Sequence, residues 1–277
     1  MSGEKVIFCG NNPDFLDKKL TALSNKSNGS NAFRIPSLIR SGKTLIAAID
    51  AQSCGADWGY IEIAIRRSED GGETWSDIEI IAAPPARKTM LSDECYASAF
   101  YIDPCMAIAP NGDVILLADF YPECKGLHKR SILDKKKAPY ALYNKELRPT
   151  LYDRDGNFYV IDKSRNVLDH NFNTTGLTAK YETGELFKGD EYLGNIFLNG
   201  KSPSNINEAG VKTTFGAPLK APKRNYLFLF KSSDNGKTWS EPKDITGQVL
   251  IKADGTFLGV APGVGITTHK GRIVMPL

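Results

Sequence analysis

Ser68–Trp75 reads SEDGGETW and Ser232–Trp239 reads SSDNGKTW; both fit Ser-x-Asp-x-Gly-x-Thr-Trp. The aspartate of such a stretch can accept hydrogen bonds from nearby backbone N–H groups, and the glycine takes the positive φ that a tight turn needs. Threonine and tryptophan then re-enter a strand, where the indole covers the turn. Apolar runs of strand character flank the copies: YIEIAIRR before the first, IEIIAA after it, and YLFLFK before the second. One such match is weak, but two eight-residue matches in one chain predict a repeated β-hairpin unit and an all-β fold.

Composition narrows the function classes. The chain has 277 residues, 41% apolar and 24% charged, which suits an ordinary globular protein with a sizeable core. Thirty-five basic against 32 acidic residues leave a net charge of +3, too balanced for a nucleic-acid binder. The basic cluster Lys135–Lys137 reads as a solvated loop. No apolar run approaches the roughly 20 residues that a membrane span requires, and MSGEKVIFCG lacks the n- and h-regions of a signal peptide. Five cysteines (Cys9, Cys54, Cys95, Cys105, Cys124) are odd in number and form no CxxC pair, so buried free thiols are expected. His128, His170 and His269 have no metal-ligand spacing; neither a metal nor a cofactor is expected.

The repeated stretch is the Asp-box, and it resembles that of the bacterial sialidases, of the large secreted type. The resemblance implies a six-bladed β-propeller with four antiparallel strands per blade and the boxes on the outer rim, away from the chemistry. At about 40 to 50 residues per blade the chain has length for six, yet no box occurs between about Tyr121 and Pro222. Within that stretch LYDRDGNFYVI reads as a hairpin with an Asp-Gly turn and GDEYLGNIFLNGKSP as another short strand pair. The expected organisation is therefore first blades over 1–120, an inserted small β-rich domain over 121–222, and further propeller over 223–277. That is about the first three blades, or half a propeller, with open edges prone to association.

The resemblance also supplies candidate site residues. Arg34 stands in NAFRIPSLI among apolar neighbours, where a guanidinium needs an anion. A rigid fork of donors that stays charged at any working pH suits a planar carboxylate. In FRIP, the family's signature, this arginine is one of three that bind the carboxylate of sialic acid; the competing reading is a surface arginine packed on Phe33 or paired to a local acid. Asp57, in GADWGYIEIAIRR, matches the family's Asp-Trp-Gly acid/base, which must be protonated when substrate arrives. Glu62 shares a strand face with Tyr60 and Ala64 and matches no motif. Asp103, in YIDPC, aligns with an aspartate that contacts the ring hydroxyls, against the reading of a turn-initiating Asp-Pro. Ile35 and Leu127 are implied as walls of the N-acetyl pocket, although relatives place an aromatic where His128 stands. Many members also carry an arginine where this chain has Gln52.

The function implied is that of a retaining exo-α-sialidase releasing terminal α-linked sialic acid from glycoconjugates. Its tyrosine nucleophile avoids bringing a carboxylate to an anionic anomeric centre. That tyrosine, its glutamate and two arginines belong to later blades, so this chain alone is expected not to turn over substrate. Rival readings are an intramolecular trans-sialidase or trans-sialidase of the same family, a non-catalytic Asp-box propeller that binds carbohydrate, and a different propeller glycosidase. The resemblance implies a secreted or cell-surface protein, and without a leader a cytoplasmic location stays open. Sialylated glycans are the expected partners, with no nucleic acid.

Overall fold

A computed structural model describes residues 6–8, 30, 32–53, 57, 59–85, 98–123, 136–199, 215–250 and 258–277. The first sheet is a four-stranded antiparallel blade in chain order: β1 (Ala32–Ser41), β2 (Thr44–Gln52), β3 (Ile61–Ser68) and β4 (Glu79–Ala82). A two-residue turn joins β1 to β2, with Ser41 opposite Thr44 and Gly42 at φ 60°, the left-handed value such hairpins require. Strands β2 and β3 are apolar on both sides because both of their faces are covered. Ile46, Ala48, Ile63 and Ile65 join the main core, while Ile49, Ala51 and Ala64 pack with Phe33, Ile78 and Ile80 on the other face.

The second blade begins with β5 (Phe100–Ile108) and β6 (Val114–Tyr121). The chain then leaves the blade to build a seven-stranded meander. Its strands are β7 (Tyr140–Tyr143), β8 (Glu146–Tyr152), β9 (Phe158–Ile161), β10 (Asn166–Leu168), β11 (Thr174–Lys180), β12 (Glu185–Lys188) and β13 (Glu191–Asn195), each beside its chain neighbour. It returns as β14 (Tyr226–Ser232), paired directly to β6 from Phe120↔Tyr226 to Val114↔Ser232, and closes the blade with β15 (Lys243–Asp244). A four-residue helix, α1 (Thr246–Val249), follows, and β16 (Gly263–Val264) adds in parallel to β5. A two-stranded ribbon, β17 (Ile266–Thr267) and β18 (Ile273–Val274), ends the chain. The described residues thus hold two four-stranded blades and these last short strands. Among them, no helix is long and apolar enough to cross a membrane.

Both Asp-boxes occupy equivalent places, Ser68–Trp75 between β3 and β4 and Ser232–Trp239 between β14 and β15. In the first, Asp70 accepts from the Thr74 N–H at 2.9 Å and from its hydroxyl at 2.6 Å, while Gly72 N–H donates to Ser68 Oγ at 2.8 Å. The second repeats this with Thr238 N–H and hydroxyl on Asp234 (2.9 and 2.6 Å) and Gly236 N–H on Ser232 Oγ (2.8 Å). Positive φ falls on Gly71 and Gly72 in one box and on Asn235 and Gly236 in the other. These donors, the Thr238 hydroxyl first, hold Asp234 down to about 2, and the Thr74 hydroxyl chiefly holds Asp70 lower still. The second box also ties the blades together, since Ser41 Oγ donates to Asn235 Oδ1 at 2.8 Å.

The meander uses its own repeated turn, and the expected hairpin with its Asp155-Gly156 turn is the first of them, β8 pairing with β9 through Leu151↔Tyr159 and Tyr152↔Phe158. Asp153, Asp162 and Asp169 each accept the backbone N–H of an asparagine four residues on, Asn157, Asn166 and Asn173, at 2.9, 2.8 and 2.9 Å. The residue before each asparagine is left-handed: Gly156, Arg165 and Phe172, at φ 89°, 68° and 63°. In the described part of GDEYLGNIFLNGKSP, residues 189–199, β13 folds back onto β12. Tyr181 and Phe197 pack edge-on against Tyr226, and Phe197 against Phe120, so meander and blade share one core. The Tyr140 hydroxyl, donating to Asp244 Oδ2, fastens the two.

Candidate active site

Each blade's first strand carries the same irregularity. Arg34 pairs with Asp50 and Ser37 with Ala48, so Ile35 and Pro36 together face a single residue of β2. In β5, Ile102 pairs with Asp119 and Cys105 with Leu117, so Asp103 and Pro104 do likewise. Proline has no N–H to give the ladder, and a bulge is where a strand tolerates it. Ile35 and Asp103 sit at φ 59° and 62°. A left-handed aspartate is uncommon; a left-handed β-branched residue is an outlier that the surrounding structure must hold, and such strain concentrates at functional sites. The strand resumes after Pro104 and runs to Ile108, which removes the reading of Asp103-Pro104 as a turn.

The bulge on β1 delivers Arg34 to the end of the blade where β2 finishes, and Asp57 lies in the connection from β2 to β3. Arg34 Nη1 donates to Asp57 Oδ1 across 23 residues of chain, with the two side chains 46% and 40% exposed, so a ligand can reach both. Gln52 Nε2 donates to the same Oδ1 at 3.4 Å. Gln52 is fully buried, and its Oε1 has no hydrogen-bond partner. Asp103 on the neighbouring blade is pushed up to about 6 by burial and by the Asp57 charge, while Arg34 pulls the other way. These couplings gather Arg34, Asp57 and Asp103 in one electrostatic neighbourhood. The boxes lie at the far end of the strands from Arg34, since Ser68 pairs with Leu45 while Arg34 pairs with Asp50, five residues or roughly 17 Å along β2 at 3.4 Å per residue.

Sequence reasoning passed over Asp50 and Asp119. Both are buried, at 0% and 1% exposure, and burial pushes Asp50 well above the usual carboxylate range and Asp119 up to about 8. Asp50 Oδ1 accepts the N–H of Asp103 at 3.1 Å, and Asp119 Oδ2 accepts the N–H of Val260 at 3.1 Å. An available signal was an aspartate near the end of an otherwise apolar strand run, LIAAIDA and VILLADF. Glu62 accepts the Tyr60 hydroxyl at 2.9 Å in a buried pair, which occupies it structurally. Ile35 is half-buried beside Arg34. Leu127 and His128 lie outside the described residues, as do four of the five cysteines; Cys105 is a buried free thiol. Among the described residues no group of three His, Cys, Asp or Glu side chains could hold a metal ion. A cavity of about 780 Å³ lies between the meander and the second blade, lined by Tyr140, Tyr181 and Asp244, and neither Arg34, Asp57 nor Asp103 lines it.

The arrangement pairs a permanent cation with an acid beside it and a second, partly buried acid from the next blade. Such a group can bind a planar anion and deliver a proton close to it. Known proteins place this geometry in context. The model of the BNR repeat-like domain family matches residues 35–277. The chain is 28% identical over 287 aligned residues to an anhydrosialidase of Macrobdella decora, covering 90% of this chain and 36% of that relative. A 50-residue segment is 50% identical to a sialidase of Bacteroides fragilis (strain YCH46), 18% of this chain and 9% of that one. Among solved structures, the NanB sialidase of Streptococcus pneumoniae superposes with a TM-score of 0.73 at 22% identity, over 91% of this chain and 41% of that one. The intramolecular trans-sialidase of Ruminococcus gnavus gives 0.68 at 23%, over 90% and 56%. The fold is the propeller-type sialidase fold.

Proposed function

Because the chain belongs to the BNR repeat-like domain family from residue 35 to residue 277, we propose that it carries the carboxylate-binding and proton-donating part of a sialidase site. The substrate class is terminal α-linked sialic acid on glycoconjugates. The observation that carries this reading is the contact between Arg34 and Asp57, a cation and an acid that a ligand can reach.

The geometry supports a definite order of events. Before substrate arrives, Arg34 is neutralised by Asp57. A sialic acid carboxylate offers the guanidinium two oxygens in one plane and displaces Asp57 from it. Freed from the guanidinium, Asp57 serves as the acid that donates a proton to the glycosidic oxygen as the bond to the anomeric carbon breaks. Arg34 meanwhile stays on the substrate carboxylate as positive charge develops on the ring. Asp103 accepts hydrogen bonds from ring hydroxyls, and Ile35 walls the pocket beside Arg34.

Two products are consistent with this chemistry. Hydrolysis with retention gives free sialic acid, whereas intramolecular transfer gives an anhydro sugar. The second reading is kept because similar proteins are named anhydrosialidase and intramolecular trans-sialidase. A fluorogenic α-sialoside assay on the full-length protein, with products identified by NMR, separates them. Asp57→Asn is expected to lower turnover by about 100-fold or more. Undiminished turnover in that variant would sink the acid assignment. A merely sugar-binding propeller would hold sialic acid and its planar 2,3-dehydro analogue equally, while an enzyme of this class prefers the analogue.

A further inference from the structure

We propose that Asp50 is the positioning residue of this site: its buried side chain grips the backbone of Asp103 across the blade boundary and fixes where the Asp103 carboxylate stands. The inference rests on the site reading above. Asp50 lies directly opposite Arg34 in the β1–β2 register, so one residue pair sets the positions of both charged contributors. Its Oδ1 accepts the Asp103 N–H at 3.1 Å. That N–H belongs to the bulge between Ile102 and Cys105, where β5 loses step with β6, and Pro104 beside it has no N–H to give. A buried donor left without an acceptor is rare in folded proteins. Asp50 therefore supplies what the left-handed turn at Asp103 needs in order to persist.

The second blade repeats the device. Asp119, opposite Ile102 as Asp50 is opposite Arg34, accepts the Val260 N–H at 3.1 Å just ahead of β16. The repeat makes the latch part of how successive blades join. The first copy differs because the residue it holds carries a carboxyl group that feels the charges of Asp57 and Arg34. The groups that bear on Asp50 are Arg34 from β1, Asp57 from the β2–β3 connection and Asp103 from β5. Burial pushes the Asp50 carboxyl well above the usual carboxylate range, since a charged form is costly there.

The test uses the chain itself, with N-acetylneuraminate as the probe, and compares Asp50→Asn, Asp50→Leu, Asp103→Ala and the double variant Asp50→Leu/Asp103→Ala. Asparagine keeps the acceptor and leucine removes it. Hydrogen exchange at the Asp103 amide is expected to speed up about tenfold in Asp50→Leu and to stay within twofold of wild type in Asp50→Asn, with Met106 and Ala107 unchanged. Binding of the probe, followed by NMR shifts, is expected to weaken about tenfold in Asp50→Leu. The double variant is expected to bind no more weakly than Asp103→Ala, because Asp50 acts through Asp103. Multiplying losses in the double variant, or an Asp103 amide indifferent to Asp50→Leu, would overturn the proposal. Should Asp50→Leu fail to fold, the wild-type amide decides: its shift must follow the titration of the carboxyl resonance that disappears in Asp50→Asn, and an independent shift refutes the contact. The exchange data judge the latch whether or not the wild-type chain binds the probe, and the turnover of Asp57→Asn judges the sialidase reading separately.

Discussion

Asp119 on β6 is 1% exposed, and burial is the main cause that pushes its carboxyl up to about 8, with the nearby Asp103 charge adding to it. In the unfolded chain the same group titrates near 3.9. Between those values the folded protein holds a proton that the unfolded chain has lost, so stability falls as pH rises through that window. One proton changes stability by about 1.4 kcal/mol per pH unit, or about 3 kcal/mol between pH 5 and 7. At roughly 2–4 °C per kcal/mol for a chain of this size, that is about 6–12 °C of melting temperature. Asp119→Asn keeps an oxygen for the Val260 N–H and removes the titration. The variant should match wild type below about pH 4 and melt progressively higher than it toward pH 8. Asp50 and Asp103 add their own slopes to both proteins, so the difference isolates Asp119. Scanning calorimetry at half-unit pH steps measures it. Parallel curves for the two proteins would refute the view that Asp119 is folded in its neutral form.

Asp234 behaves with the opposite sign. Held down to about 2 by Thr238, it supports the fold above about pH 4 and loses that support as pH falls toward 2. Asp234→Ala should lower the melting temperature at pH 7 and flatten the acid limb of the stability curve, both read by calorimetry. Tyr140→Phe removes a donor from the half-buried Asp244 and should cost about 1–2 kcal/mol in urea unfolding, with the loss centred on the contact between meander and blade. Gly236→Ala meets Ile46 Cδ1 at 3.1 Å and a φ of 81°. It should cost about 1–2 kcal/mol, and Ile46→Val should restore only part of that because the backbone strain remains.

The candidate site was legible where a motif spans a few consecutive residues. Arg34 and Asp57 could be named from FRIP and Asp-Trp-Gly, and the structure joins them through Arg34 Nη1 and Asp57 Oδ1. Asp103 could be named only by resemblance, and its left-handed bulge was invisible because Ile102-Asp103-Pro104 reads equally well as a turn. Asp50 carried no readable role. Its partner is 53 residues away on another blade, and no local pattern announces that contact.

The amino-acid order by itself determined the Asp-boxes, and with them the all-β fold. Each box closes its hydrogen bonds among eight consecutive residues, Ser68–Trp75 and Ser232–Trp239, so those residues suffice to specify it. Only the tertiary structure decided that β6 rejoins β14 across the meander, that the Asp-x-x-x-Asn turns recur within it, and that Asp50 holds Asp103. Those features depend on how strands align and how blades stack. Register and stacking are fixed by burial summed over many side chains at once, and no short segment contains that sum.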